Sequence, residues 1–245
     1  FTAWLASAAA NPRNWMETHP GVIQDTTKHE AVRLKDENIQ LMKGRESGMP
    51  REHIWESFFD APCVLERLVT RNKSASLSVA EFGSGYATFT LPLARMTSGQ
   101  IHAIDIEPRL IERLSMIAAK EGINNIVPLL RDFTSDGSGL PNECVDHAML
   151  YNILHIEDPI SLLTEAYRIV RRGGMVSIIH WRTDVPTPRG PSPGIRPSPA
   201  QIHSWLIEAG FSRINDVELD CAPYHFGIRA IRPSNTSPSN RKAEE

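Results

Sequence analysis

Hydrophobic positions after residue 78 follow two alternating patterns, short apolar runs and longer segments whose apolar residues recur three or four positions apart. The short runs are typical of strands buried on both faces of a sheet, and the longer segments are typical of amphipathic helices. Their alternation predicts an α/β fold built on a doubly wound, mostly parallel sheet. After a first strand that ends before Gly83, the predicted strands are Ile101–Asp105, Ile126–Leu130, Val145–Leu150, Met175–Trp181, Phe211–Leu219 and Tyr224–Ile231.

Start and stop signals bound the predicted helices. Pro108 suits a first helical position, and Gly122 is expected to end the same helix. Asp158–Pro159 begins a later helix as N-cap and first residue, and Gly173–Gly174 is expected to stop that helix. Ser198–Gln201 has the sequence of a capping box, which predicts a further helix start.

The two ends of the chain differ in composition from the middle. Residues 1–50 crowd charges of both signs and predict an N-terminal arm, which is either partly disordered and solvated or a lid over the pocket. Residues 51–232 hold the strand and helix pattern and predict one domain. Residues 233–245 are polar and rich in Ser, Pro and Asn, so we expect a disordered tail. The uncharged, alanine-rich segment 1–10 leaves open the remnant of a targeting segment.

Charge and cysteine content narrow the expected partners and compartment. A net charge of −3 and a pI near 6.3 give no basic field, so neither nucleic acid nor an anionic membrane is an expected partner. No apolar run reaches the roughly 20 residues of a membrane span. Cys63, Cys144 and Cys221 lie far apart and predict free thiols in a reducing compartment, hence a cytoplasmic protein. No spacing among histidines and cysteines indicates a metal site, and the oligomeric state stays open.

The candidate chemistry concentrates at the turn from Glu81 to Thr88, where two glycines one residue apart separate a strand from a helix. Glycines allow positive φ angles and a close backbone approach to a ligand, and the following helix offers free N–H groups. A dinucleotide-binding fingerprint would need a small residue at Thr88, and this β-branched side chain fits that position poorly. The poor fit at Thr88 weakens the case for a nicotinamide-dependent oxidoreductase, which is kept as the alternative interpretation.

The segment Glu81–Ala87 resembles the first motif of class I S-adenosylmethionine-dependent methyltransferases, with Ala87 where the family usually has glycine. The resemblance extends over residues 77 to 182 and implies a seven-stranded, Rossmann-like sheet with an antiparallel terminal strand. It also implies S-adenosylmethionine as the cofactor, with Glu81 near its charged amino-acid end, Asp105 on the ribose hydroxyls and Asp132 on the adenine amino group. The predicted cofactor-binding residues are Glu81, Phe82, Gly83, Ser84, Gly85, Asp105, Ile106, Asp132, Phe133 and Tyr151.

Two of these assignments have competing interpretations. Glu107 is a second acid that competes with Asp105 for the ribose hydroxyls; we interpret it as solvated or as a cap of the next helix, because Ile106 between the two acids suits an apolar contact to adenine. Asp132 could be a plain loop residue paired with Arg131 rather than a contact to adenine.

A sulfonium methyl group is already activated, so its transfer needs alignment and, for some acceptors, a base. His155 and His180, at the ends of the fourth and fifth predicted strands, are the candidate catalytic bases. The segment after the fourth strand lacks the N/D-P-P-Y/F motif of DNA methylation, which disfavours a DNA acceptor. The run from His155 to Trp181 resembles the central part of small-molecule methyltransferases, and this resemblance implies a small-molecule acceptor. A non-catalytic binding protein of the same fold remains a further alternative. The proline-rich loop 182–197 and the terminal hairpin are expected to face the acceptor, through Arg182, Arg189, Tyr224 and His225.

Overall fold

The computed structural model of the chain describes residues 50–69 and 76–234. Nearly all of the predicted N-terminal arm and most of the predicted tail lie outside the described residues, so both remain predictions. None of the helices within those two ranges is long and apolar enough to cross a bilayer. The described α-helices are α1 (Glu52–Glu56), α2 (Ala61–Leu68), α3 (Thr90–Met96), α4 (Pro108–Glu121), α5 (Pro159–Ile169) and α6 (Pro199–Glu208).

Seven strands form one sheet in the described part of the chain, in the order β3-β2-β1-β4-β5-β7-β6. Strands β1 to β5 pair in parallel, whereas β7 is antiparallel to both β5 and β6. The predicted fold class is confirmed. The strand order reverses between β1 and β4, and open α/β sheets place ligands in the crevice above such a point. The strands are β1 (Val79–Phe82), β2 (Ile101–Asp105), β3 (Ile126–Leu130), β4 (Val145–Tyr151), β5 (Val170–Trp181), β6 (Ser212–Val217) and β7 (His225–Ile231).

Helices cover both faces of the sheet, as the apolar strands predict. Ala80 and Phe82 of β1 belong to the core cluster that includes α5 and α6. Val79 of the same strand belongs to the cluster on the other face, with α2 and α3. Each large apolar side chain fully buried in these layers contributes roughly 1.5–3 kcal/mol of transfer free energy. Two packed layers therefore fix β1, and with it the turn that follows.

The capping signals are confirmed, except at the end of α5. Ser198 and Gln201 form the predicted capping box of α6, and Gly122 ends α4 in the left-handed conformation with φ 68°. The expectation that Gly173–Gly174 stops α5 was wrong, because α5 ends at Ile169 and β5 begins at once. The two glycines lie inside β5, where the register with β4 shifts and Gly173 takes a φ of 78°. The two glycines form a bulge in the strand, and bulges favour glycine just as helix ends do.

Cys63 of α2 and Cys221 of the loop before β7 form a disulfide with their Cα atoms 6.2 Å apart. The expectation of three free thiols is therefore wrong for this pair, while Cys144 is free and half-buried. An ion pair between Arg67 and Asp220 lies beside the bridge. Spacing in the sequence did not indicate the pair because the two cysteines are 158 residues apart and meet only through the fold.

Candidate active site

The glycine turn after β1 has the backbone conformation that its residues predict. Gly83 and Gly85 have φ angles of 75° and 53°, in the left-handed region that favours glycine. A Cβ atom on Gly83 would lie 3.0 Å from the Cγ2 atom of Ile153 in the loop after β4. Ala87, at the position where the family usually has glycine, also has a left-handed φ of 66° and is buried. The turn thus keeps the glycine-like path even at its one departure from the motif.

Asp105 at the end of β2 holds this turn in place. Its carboxylate accepts hydrogen bonds from the backbone N–H groups of Gly85 at 2.8 Å and Glu107 at 2.9 Å. Each carboxylate oxygen keeps a second lone pair, so both can still accept from a pair of ribose hydroxyls. Glu107 is exposed, whereas Asp105 is buried at the edge of the sheet. This placement favours Asp105 over Glu107 as the ribose acid, and Ile106 between them is half-buried.

Glu81 is an acid enclosed by the core. Only 2% of its surface is exposed, and its carboxyl accepts a hydrogen bond from the hydroxyl of Thr90 in α3. Burial raises the pKa of Glu81 to about 8; the nearby Asp105 charge adds to this rise, and the Thr90 hydrogen bond opposes it. The carboxyl therefore faces α3, and its predicted role at the amino-acid end of the cofactor stays a prediction.

The adenine-side residues lie in the loop after β3. Asp132 accepts from the amide and hydroxyl of Thr134 at 3.1 and 2.6 Å, and the hydroxyl bond is the main cause of a lowered pKa. Arg131 donates instead to the carbonyls of Gly137 and Asp136, so its guanidinium is engaged elsewhere in the loop. Phe133 packs edge-on against Phe82, with ring centroids 5.5 Å apart.

Tyr151 differs from the other predicted cofactor residues because its side chain points into the core. It is buried, its hydroxyl lies 3.0 Å from the Ser177 Oγ atom, and its ring meets Phe89 edge-on at 4.9 Å. Burial raises the pKa of the Tyr151 hydroxyl above its usual value. Any contact from Tyr151 to a cofactor therefore falls to its backbone at the end of β4.

The two candidate bases meet at the carboxyl ends of β4 and β5. The rings of His155 and His180 are in edge-to-face contact with centroids 5.5 Å apart. Burial lowers the pKa of both imidazoles, that of His180 well below its usual value, so both are neutral at neutral pH. A neutral imidazole has one nitrogen free to accept a proton.

An aromatic wall, defined as Phe58, Phe59, Trp181, Tyr224 and His225, lies beyond the end of β5. His225 lies between the rings of Phe59 and Trp181, at centroid distances of 4.5 and 4.2 Å. Burial, together with the positive charge of Arg196, lowers the pKa of His225 to about 3. The structure brings His225 and Tyr224 into one cluster, in which His225 is buried and Tyr224 is half-buried, and their contact with an acceptor stays a prediction. It adds Phe58 and Phe59 from the segment that joins α1 to α2.

The arginines of the loop 182–197 have different roles. Arg182 makes a two-pronged ion pair with Asp184, at 2.9 and 2.6 Å. Arg196 donates to the carbonyls of Pro191, Arg182 and Arg189, and it lies over the Trp181 ring. The Arg189 side chain is exposed.

Buried polar atoms without hydrogen-bond partners gather at the carboxyl edge of the sheet. In folded proteins such atoms are nearly always paired, so a cluster of them indicates a place for a ligand. With the two glycines that leave room for a backbone approach, this edge fits the amino-acid and ribose groups of S-adenosylmethionine. The predicted site residues did not include two members, Thr88 and Asn152; Asn152 could have been found from its place directly after a buried strand. The residues with such atoms at this edge are Ser84, Thr88, Asn152, His155, His180 and His225.

Comparison with known proteins agrees with this geometry. Residues 79–174 match the family model described as a methyltransferase domain. The chain is 22% identical over 168 residues to the tRNA 5-carboxymethoxyuridine methyltransferase of Escherichia coli (strain K12), a match that spans 60% of this chain and 64% of that protein, less than two thirds of its length.

Solved structures share the fold. A crystal structure of a SAM-dependent methyltransferase from Aquifex aeolicus aligns with 80% of this chain and 97% of its own, at 22% identity and a TM-score of 0.61. The [4+2]-cyclase SpnF aligns with 79% of this chain and 86% of its own, at 15% identity and a TM-score of 0.59. Likeness at this level shows the fold, and one fold hosts different reactions.

Proposed function

We propose that this chain is an S-adenosylmethionine-dependent methyltransferase that transfers the methyl group to a small, planar acceptor, a proposal supported by the match of residues 79–174 to a methyltransferase domain. The observation that carries the proposal is the cluster of unpartnered buried polar atoms above the β1–β4 reversal. S-adenosylmethionine supplies a methyl group on a positively charged sulfur, which a nucleophilic atom of the acceptor can attack.

Different residues along the sheet edge would bind different parts of the cofactor and the acceptor. Asp105 would hold the ribose hydroxyls, and the glycine turn would let the backbone approach the cofactor. Asp132 and Phe133, after β3, would meet the adenine. His155 is half-buried, so it is better placed than the fully buried His180 to take a proton from an acceptor.

The aromatic wall supports a planar acceptor through its two half-buried rings, those of Phe59 and Tyr224, which can make stacked or edge-on contacts with another ring. Its other three members, Phe58, Trp181 and His225, are buried against their neighbours and support those two rings from behind.

Arg189 supports an acidic group on that acceptor, because its guanidinium is exposed, while Arg182 and Arg196 are engaged within the loop. A guanidinium offers a planar pair of donors to a carboxylate or phosphate.

A nucleoside within tRNA is the second candidate acceptor. The observation in its favour is the E. coli relative, which is named for a carboxymethoxyuridine of tRNA. The net charge of −3 weighs against it, since nucleic-acid affinity rests largely on basic side chains.

Two measurements on the purified protein test the proposal. In calorimetry, S-adenosylmethionine and S-adenosylhomocysteine are expected to bind at micromolar strength, and NADH is expected not to bind. Tighter binding of NADH than of S-adenosylmethionine would overturn the proposed function. Transfer of labelled methyl groups into a low-molecular-weight extract, with purified tRNA tested in parallel, then separates the two acceptor classes. Label in tRNA alone would replace the small-molecule acceptor with the second candidate.

A further inference from the structure

Cys63, Asp220 and Cys221 form a cluster of metal-ligating side chains, which we call the thiol site. The two Sγ atoms and a carboxylate oxygen of Asp220 lie within 4.8 Å of one another. Both cysteines are half-buried and Asp220 is exposed, so ions from the solvent can reach the cluster. Within residues 50–69 and 76–234, no other three His, Cys, Asp or Glu side chains gather in this way.

The surrounding structure holds the two cysteines together without relying on the bridge between them. The buried side chains of α2 belong to the same core cluster as Leu219 and Ala222, which flank Asp220 and Cys221. The N–H group of Asp60, the N-cap of α2, donates to the carbonyl of Cys221 at 2.9 Å. Reduction of the bridge therefore leaves two thiols facing each other, and this preorganisation lowers the cost of binding a ligand.

The spacing of the two cysteines suits a shared metal ion as well as a bridge. Their Cα atoms are 6.2 Å apart. A tetrahedral zinc ion with Zn–S bonds of about 2.3 Å holds two sulfur ligands roughly 3.7 Å apart. Rotation of the two side chains about their Cα–Cβ bonds can open the sulfurs to that separation. The backbones of α2 and of the loop before β7 need not move.

The charges of the cluster favour a divalent cation. Two thiolates and the Asp220 carboxylate carry three negative charges, and Arg67 makes an ion pair with Asp220 at 2.8 Å. A divalent ion together with this guanidinium therefore neutralises the cluster. The carboxylate oxygens keep further lone pairs for a metal. Sulfur ligands favour zinc over Mg²⁺ and Ca²⁺, which take oxygen ligands.

We propose that the reduced thiol site binds one zinc ion through Cys63, Cys221 and Asp220, with solvent at the fourth position. The expectation of no metal site rested on spacing along the chain, and these ligands meet only through the fold. None of the three is among the predicted cofactor or acceptor residues, so zinc binding does not depend on the proposed function.

The chemistry of the site balances with a phosphine as the reductant. The phosphine supplies two electrons that break the S–S bond and becomes a phosphine oxide with oxygen from water. The two protons of that water convert the sulfurs to thiols. Zinc then replaces the two thiol protons, which pass to the solvent, and forms two zinc–sulfur bonds. The bound ion joins α2 to the loop before β7, as the bridge does in the oxidised protein.

The test measures zinc binding by the reduced full chain. The bridge is reduced with a phosphine, the phosphine is removed under nitrogen, and zinc is titrated against a chromophoric chelator. The reduced wild type is expected to bind one more zinc ion than the double variant Cys63→Ser, Cys221→Ser, which lacks both sulfurs. Asp220→Asn keeps the size of the side chain and should weaken this binding about tenfold, because a charged ligand is lost.

A matched control and two further readouts identify the ligands. Cys144→Ser should bind zinc as the wild type does, because Cys144 lies outside the cluster. Cobalt(II) in place of zinc should give a sulfur-to-cobalt charge-transfer absorption in the reduced wild type and none in the double variant. Zinc should also raise the urea midpoint of the reduced wild type and leave that of the double variant unchanged.

Three results would overturn the inference. The first is equal zinc binding by the reduced wild type and the double variant. The second is equal zinc binding by the oxidised and the reduced wild type, because a bridged pair offers no thiolate. This second comparison uses a folded protein with both sulfurs, so it holds even where the double variant is unstable. The third is loss of the bound zinc in Cys144→Ser, which would assign the metal to another thiol.

Discussion

At the scale of single residues, Glu81 is unusual because it places an acid inside a strand whose four residues are all buried. Its carboxyl keeps a proton until about pH 8, whereas an unfolded chain releases it near pH 4.5. The folded-state pKa is raised, so the stability linked to this proton is fully present below pH 4.5. It is lost as the pH rises to about 8.

We therefore expect Glu81→Gln to gain stability relative to wild type as the pH rises through this window. Glutamine keeps the size and can still accept from Thr90, but it has no proton to lose. The difference in unfolding free energy should grow by up to about 1.4 kcal/mol per pH unit between pH 4.5 and 8, measured by urea denaturation. If the free energies of unfolding of the two proteins change with pH in parallel, then the pKa of Glu81 is not raised by folding.

Asp105 and Glu107 provide a second test at this scale. Asp105→Ala should cost about 1–3 kcal/mol of S-adenosylhomocysteine affinity, because the ribose hydroxyls and the Gly85 N–H lose their acceptor. Glu107→Ala should cost far less, because that side chain is exposed and only its backbone N–H meets Asp105. Calorimetry on both variants is the measurement. If the two variants lose the same affinity, or Glu107→Ala loses more, then Asp105 is not the acid that binds the ribose.

At the scale of elements, the loop 182–197 depends on one of its three arginines. Arg196 ties three carbonyls together and covers the face of Trp181, with its Cζ atom 5.6 Å from the ring centre. Gly190 lies against the same ring, where a Cβ atom would come within 2.8 Å of it. The loop thus has a defined path over the aromatic wall.

Replacing Arg196 with alanine should lower the free energy of unfolding by about 1–3 kcal/mol, because three backbone carbonyls lose a charged donor. Arg189→Ala is the matched control and should change stability by less than about 0.5 kcal/mol, because its side chain is exposed. Urea denaturation of both variants gives the comparison. Similar losses in the two variants would contradict a supporting role for Arg196.

Arg189→Ala should act on the acceptor instead. With an identified acceptor, this variant should raise the acceptor KM or lower turnover. The affinity for S-adenosylhomocysteine should stay within about a factor of two. Loss of cofactor binding in a folded Arg189→Ala protein would assign the loop to the cofactor site.

Which elements the sequence predicts depends on how local their causes are. β2, β3 and α4 were predicted closely because apolar runs, Pro108 and Gly122 act within a few residues. The α5–β5 boundary was wrong because Gly173–Gly174 suits both a helix stop and a strand bulge, and only pairing with β4 decides between them. The burial of Tyr151 and the unpaired amide of Asn152 likewise depend on which neighbouring strands and helices enclose them.

At the scale of the whole molecule, the Cys63–Cys221 bridge joins α2 to the loop before β7 and links residues that are 158 positions apart in the sequence. Cys63→Ser should lower the stability of the oxidised protein by about 2–4 kcal/mol. A reductant should lower the free energy of unfolding of the wild type to that of the Cys63→Ser variant. Cys144→Ser should lose the same stability on reduction as the wild type, because Cys144 is free. Denaturation with and without reductant measures both. No effect of reductant on the wild type would show that the two thiols are unpaired in solution.

The aromatic wall has a consequence for how this protein can diversify. All five of its residues lie outside the contiguous segment 79–174, two of them before it and three after it. All ten predicted cofactor-binding residues, in contrast, belong to that segment. Under the proposed function, substitutions in the flanking segments should therefore change which acceptor is methylated and leave the binding of S-adenosylmethionine unchanged. A chimera that exchanges only residues 50–60 and 181–225 with those of a related enzyme should inherit the donor's choice of acceptor and keep the recipient's cofactor affinity.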